Sequence, residues 1–359
     1  MGIGRRLAGA LAYGGPGRTR LTLALAVGLA GAFALVYVLV FARGGESASA
    51  GLCAGSLSQD FACYERHLDD VLRTGGGEAA LAELASLSSR EPYVLSQCHV
   101  LAHSLGHEAF KVYKTVAAAS AHGDGTCWSG YYHGVYESYM SQFDDPKLLA
   151  LMPTICKRPK SNPYSFDYYN CLHGLGHGVT IRFQQDLFKA LSFCDALDGD
   201  WEQRSCYSGA FMQNIVVDGR MHKSAALKPE DPVYPCNAVG ERFKSSCWLM
   251  QTSYILRVLD YDYAKGFRIC DGVESAYVST CYRSMGRDIS GNSHRDPGKV
   301  VDLCSLGRPA LQGYCFAGAA KNAVFNDHGT PKADALCAIV PARYHGDCVQ
   351  AREEAASTL

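Results

Sequence analysis

Sixteen cysteines set at near-regular intervals constrain this 359-residue chain more than any other feature of its sequence. Cys236 and Cys247, Cys270 and Cys281, Cys304 and Cys315, and Cys337 and Cys348 each enclose ten residues; Cys194 and Cys206 enclose eleven, Cys156 and Cys171 fourteen, and Cys53 and Cys63 nine. Pairing neighbours leaves only the distant Cys98 and Cys127, which complete eight bridges. Many connectivities satisfy sixteen cysteines, and neighbour pairing is the simplest that treats every repeat alike. Disulfides persist in oxidising compartments, so this part of the chain is expected outside the cytoplasm.

The first cysteines at 236, 270, 304 and 337 recur after 34, 34 and 33 residues, a period typical of stacked helical hairpins. An amphipathic approach precedes them, as in Tyr263-Ala-Lys-Gly-Phe-Arg-Ile-Cys270 and Pro297-Gly-Lys-Val-Val-Asp-Leu-Cys304. The expected fold is therefore all-α: helical hairpin repeats stapled by disulfides, stacked as an α-solenoid-like or closed array. In each unit helix A ends at the first cysteine and helix B begins at the second. Asp296-Pro297 and Thr330-Pro331 suit the start of helix A, the Asp or Thr capping and the Pro in the first turn. A glycine follows three residues after the second cysteine in Cys127-Trp-Ser-Gly130, Cys206-Tyr-Ser-Gly209 and Cys315-Phe-Ala-Gly318. In an isolated helix it costs about 1 kcal/mol against Ala, so it marks the close approach of another helix.

The N-terminal part follows different rules. Residues 21–42 carry no charge and as a helix would cross roughly 30 Å of hydrocarbon. Arg5, Arg6, Arg18 and Arg20 precede this segment and only Arg43 follows closely, so residues 1–20 are expected in the cytoplasm and the rest outside, with one span in the cell membrane. A cleaved signal peptide is the rival, but its apolar core is only about 7–15 residues long. Residues 43–51 read as a linker, 52–217 as a histidine-bearing helical region, 218–235 as a polar excursion and 236–359 as the plain repeats. After Arg43 the chain carries 29 basic and 35 acidic residues, a net charge of −6. No basic patch supports nucleic-acid binding. The sequence names no protein or small-molecule partner; its expected association is with the membrane, through one helix.

Six of the twelve histidines fall in three short stretches, each opened by a cysteine. His99, His103 and His107 recur every four residues after Cys98, His173 and His177 follow Cys171, and His133 follows Cys127 with Glu137 four residues later. Residues four apart share one face of a helix, so each stretch presents a stripe of imidazole. Aligned on the second cysteine, the sixth residue onward is His133, His177, Met212, Ser253, Arg287 and Lys321 in turn. Histidine is confined to the early repeats, as a site requires and a packing habit does not. With thiols spent on disulfides, imidazole and carboxylate remain as ligands, suited to copper, zinc or iron. All six histidines are candidate metal ligands, and Glu108 and Glu137 are candidate general bases for a zinc hydrolase. A copper or iron pair would instead suit redox chemistry among Tyr131, Tyr132, Tyr136 and Tyr139. Haem is a lesser alternative, since no Cys-x-x-Cys-His motif is present. The other reading is a cell-surface interaction scaffold with structural histidines.

The membrane anchor has a direct check. The full chain is expected to stay with membranes through alkaline carbonate extraction, and deletion of residues 21–42 to release it.

Overall fold

The computed structural model describes Cys53 and residues 57–216 and 224–359. The expected span at 21–42 and its flanks, 1–20 and 43–51, lie outside the described residues. Among the described residues no helix is long and apolar enough to cross a membrane.

Within residues 55–359 the described regular elements are all helices. Three open the unit: α1 (Leu57–Gly75), α2 (Gly77–Arg90) and α3 (Pro92–Tyr113). Short α4 (Val116–Ser120) leads to α5 (Thr126–Met140), and α6 (Asp145–Ile155) leads to α7 (Phe166–Arg182). α8 (Leu187–Cys194) and α9 (Asp200–Ile215) follow, then α10 (Glu241–Val258). The last hairpins pair α11 (Tyr263–Asp271) with α12 (Val278–Asn292), α13 (Pro297–Cys304) with α14 (Gln312–Asp327), and α15 (Pro331–Ile339) with α16 (His345–Ala356).

The helices α3, α5, α7, α9, α10, α12, α14 and α16 pack each on the next, which makes the repeat array. The array also returns on itself. Phe166 at the start of α7 stacks on Phe325 of α14 with ring centroids 4.6 Å apart, and its N–H donates to the Thr358 carbonyl at 2.8 Å. Trp128 N donates to Asn326 Oδ1 at 3.2 Å. The seven bridges from Cys98–Cys127 to Cys337–Cys348 join the neighbours expected from spacing, with Cα separations of 5.5–5.8 Å. Cys53 and Cys63 are disulfide-bonded as well.

The joints between repeats share one chemistry. Asp144, Asp186, Asp262 and Asp296 each accept the N–H three residues on, from Lys147, Lys189, Lys265 and Lys299, at 2.9–3.1 Å. Each such N-cap stabilises its helix by about 1 kcal/mol. Ahead of three of these caps the chain turns through two left-handed residues: Gln184-Gln185, Asp260-Tyr261 and His294-Arg295. There the preceding helix ends on a bond from residue i to i−5, as in Tyr261 N to Leu256 O at 2.7 Å and Arg295 N to Ser290 O at 2.7 Å.

Three local expectations differ from the structure. Helix B begins before the second cysteine, by six residues in α9 and α10 and by three in α12, α14 and α16. Gly199 and Gly240 hold the N-cap positions of α9 and α10, so the helix starts once the chain has turned and the bridge enters its body. Thr330 is in the right-handed helical region and its side chain makes no capping bond, leaving Pro331 alone to start α15. The described end of the excursion is not free in solvent. Gln251 donates to the carbonyls of Pro232 and Tyr234 at 2.9 and 2.8 Å, and Ala226 is buried.

Glycines set the spacing of the long helices. A Cβ on Gly106 would lie 2.0 Å from the Tyr131 carbonyl oxygen, and one on Gly134 2.0 Å from that of His103. Gly176 and Gly209 make the same reciprocal contact with Cys206 and His173, at 2.0 and 1.9 Å. Gly176→Ala is expected to destabilise the fold by about 2–3 kcal/mol through forced separation of α7 and α9. Gly346→Ala, with nothing within 4 Å, should be neutral or stabilising by up to about 1 kcal/mol. Denaturant unfolding of the oxidised chain compares the two.

Candidate metal centre

The centre begins with the two crossings just described. Gly106 and Gly134 let the backbones of α3 and α5 touch, and a Cβ on Gly130 would meet the His99 carbonyl at 2.7 Å. Gly174 lies against Tyr136 and Gly178 against Met140, bringing α7 onto α5. Imidazole is a short side chain, and only this proximity lets stripes from three helices meet. His99 and His103 of α3, His133 of α5 and His177 of α7 converge, all buried, with one nitrogen from each within 4.8 Å of the others.

The outer nitrogens fix the inner ones. His99 Nδ1 donates to the Cys127 carbonyl at 2.7 Å and His177 Nδ1 to Gln213 Oε1 at 2.8 Å, while His103 Nδ1 faces the Glu137 carboxylate, 2.9 Å from Oε1 in an ion-pair contact. A neutral imidazole has one N–H, so each of these rings presents a bare Nε2 to the interior. His99 Nε2 and His103 Nε2 face each other at 3.0 Å, and His133 Nδ1 stands 3.2 Å from His103 Nε2. His133 has one proton to give. Donating it to His103 leaves His99 Nε2 bare and its own buried Nε2 without a hydrogen-bond partner.

A proton shared in this space would create an imidazolium, which the surroundings oppose. Burial first, and the neighbouring imidazoles after it, push His99, His133 and His177 well below the ordinary histidine value. Burial acts on Glu137 in the opposite sense, but contact with His103 and His107 outweighs it and holds the carboxyl well below its usual range. Neutral imidazoles with an outer carboxylate or carbonyl on Nδ1 are the donor arrangement of metal-binding histidine. An ion at ~2.1 Å from four tetrahedral nitrogens holds them about 3.4 Å apart. Two of the observed separations, 3.0 and 3.2 Å, are close to that, and all four nitrogens lie within 4.8 Å of one another, so the group could hold a transition ion.

The remaining candidates sit around the four. His173 Nε2 is 3.3 Å from His177 Nε2, beside the group. His107 turns away and donates to Glu137 Oε2 at 2.7 Å, with a third of its side chain exposed. Glu108 faces α1, paired with Arg73 at 2.7 Å and Lys111 at 3.1 Å. Tyr131 and Tyr132 give their hydroxyl protons to the carbonyls of Ala119 and Gly123. Ring centroids of 4.1–5.8 Å among the four histidines leave no gap for a haem. Gln213, the Cys127 carbonyl and Met212 were not identified as site groups. Met212 alone left a signal, occupying the register position where earlier repeats carry histidine.

No family model, curated protein or solved structure matches the chain. Its chemistry rests on its own residues.

The buried imidazoles make stability depend on pH. Their folded pKa values lie below the unfolded value of about 6.5, so the unfolded chain binds more protons as pH falls. The metal-free chain is expected to keep full stability above pH ~7 and to lose it below ~6.5, each histidine contributing up to about 1.4 kcal/mol per pH unit. Denaturant midpoints from pH 8 to 5 read this slope, and His133→Phe should reduce it.

Proposed function

We propose that the protein is a membrane-anchored, extracytoplasmic metalloprotein whose His99, His103, His133 and His177 hold a transition-metal ion. One observation carries this reading. With the Cys127 carbonyl on His99 Nδ1 and the Glu137 carboxylate against His103 Nδ1, the Nε2 atoms of the two rings face each other at 3.0 Å in a buried space. Two lone pairs so placed repel unless a cation lies between them, and burial disfavours a proton on His99. The eight-bridge framework and the expected anchor at 21–42 support the location.

Four protein donors would fill the shell of such an ion, which suits one that is held or passes single electrons more than one that activates water. Glu137 is committed to His103 and His107, so it acts by orienting the ligand rather than as a general base. The bound ion would supply a tie among α3, α5 and α7 or a redox couple.

The full chain, purified with its disulfides intact, is expected to carry at least one equivalent of transition metal by mass spectrometry. His103→Ala and His177→Ala should lose it while keeping their helicity. Glu137→Gln should weaken binding by roughly ten- to a hundredfold. A wild-type chain that binds no metal under any loading condition leaves the scaffold reading instead.

A further inference from the structure

Beyond the four clustered rings, a second set of donors meets without a proton among them. His173 Nδ1 is 2.8 Å from Ser208 Oγ, and Ser208 gives its own proton to the Ser205 carbonyl at 2.7 Å. Ser208 therefore accepts from His173, and from the Tyr169 hydroxyl, which lies 3.3 Å from Ser208 Oγ and 3.0 Å from His173 Nδ1. His173 Nε2 is then bare. It stands 3.2 Å from the thioether sulfur of Met212 on α9 and 3.3 Å from His177 Nε2, whose ring has its proton on Gln213. A thioether has no proton to offer. Three lone pairs thus share one spot between α7 and α9, where Gly176 and Gly209 bring the backbones together.

We infer that His173, Met212 and His177 form a second, softer metal seat beside the four-histidine group, and that its ion is monovalent copper. This rests on the metalloprotein reading, and because His177 Nε2 belongs to both sets and has one lone pair, the two seats are alternatives that are not filled at the same time. Three features select the ion. Thioether and imidazole together favour Cu(I) over harder divalent ions. With every cysteine oxidised, methionine is the sulfur donor left to the protein. The third feature is charge. The thioether is uncharged and carries no proton, and no carboxylate is among the three donors. In a dry site the desolvation cost grows with the square of the charge, so a divalent ion costs about four times as much as a monovalent one.

The test uses the full oxidised chain loaded anaerobically with Cu(I) as its acetonitrile complex, or separately with Zn(II). X-ray absorption at the copper edge should show a sulfur scatterer beside nitrogen in the wild type. Met212→Leu, close in volume to the residue it replaces, should lose the sulfur signal. It should also weaken Cu(I) binding at least tenfold in competition with a bathocuproine chelator, with Zn(II) affinity unchanged within twofold. Wild-type Cu(I) without a sulfur scatterer, or equal Cu(I) affinity in the variant, overturns the soft seat and leaves the four-histidine centre intact. Failure of the wild type to bind either ion overturns both.

Discussion

Helix backbones in direct contact are the constraint from which the rest of this structure follows. At Gly106 with Gly134, and again at Gly176 with Gly209, each glycine occupies the space beside a carbonyl of the opposite helix where a Cβ does not fit. Gly286 and Gly318 repeat the crossing between α12 and α14, at 1.9 Å from Cys315 O and 2.0 Å from Arg283 O. The third pair carries no histidine. The crossing is therefore a property of the repeat, and the early repeats use it to bring short imidazoles within reach of one another. At an ordinary helix separation of 8–10 Å, rings on facing helices would not converge so tightly.

Holding several neutral donors face to face is unfavourable in the metal-free protein, so the framework must be stiff. The cysteines supply that stiffness close to the ligands. Cys98 adjoins His99, Cys171 lies two residues before His173, and Cys127 offers its carbonyl to His99. Each bridge restricts the unfolded chain by roughly 3 kcal/mol for a loop of about fifteen residues. Cys127, Trp128 and Ser129 all have positive φ, 53°, 56° and 61°. This backbone costs roughly 1–2 kcal/mol per non-glycine residue, and it carries the carbonyl that receives the His99 proton. Bridges and second-layer hydrogen bonds thus hold the donors against their mutual repulsion.

Much of this was legible because it depends on spacing along the chain. Cysteine intervals gave six of the seven observed pairs and left Cys98 with Cys127 as the remainder, and four-residue histidine intervals gave the stripes that became His99 with His103 and His173 with His177. What depends on the facing surface was not legible. His107 has the same periodicity as its neighbours, yet the extra turn carries it past the junction to the outer side of Glu137. Gln213 and Met212 lie on α9, far along the sequence from the histidines they touch, and only the Gly176–Gly209 crossing sets them opposite α7. The left-handed start of α5 has no glycine to announce it. Thr330 resembles a cap in sequence, but its backbone is already helical and its hydroxyl does not reach the first turn.

The later repeats show what the same interior position requires when no ion is at hand. Where α5 and α7 place His133 and His177, α10 and α12 place Ser253 and Arg287. Asp288, buried, accepts from Thr252 at 2.6 Å, Ser253 at 2.8 Å and Arg287 at 2.6 Å, while Arg287 also reaches the Leu249 carbonyl and the Met250 sulfur. This cluster is satisfied internally: Arg287 has Asp288 as its counter-charge, and the Thr252 and Ser253 hydroxyls have its carboxylate as their acceptor, as burial demands. In the histidine half the converging nitrogens face one another, and the single buried carboxylate in contact with them, Glu137, lies on the outer side of His103. Arg287 stands between the halves, its charge balanced by Asp288 on one side and opposing protonation of His173 on the other. The two halves have the same helical geometry and differ in whether their polar groups are complete. The half with the four clustered imidazoles is the one that could hold a cation.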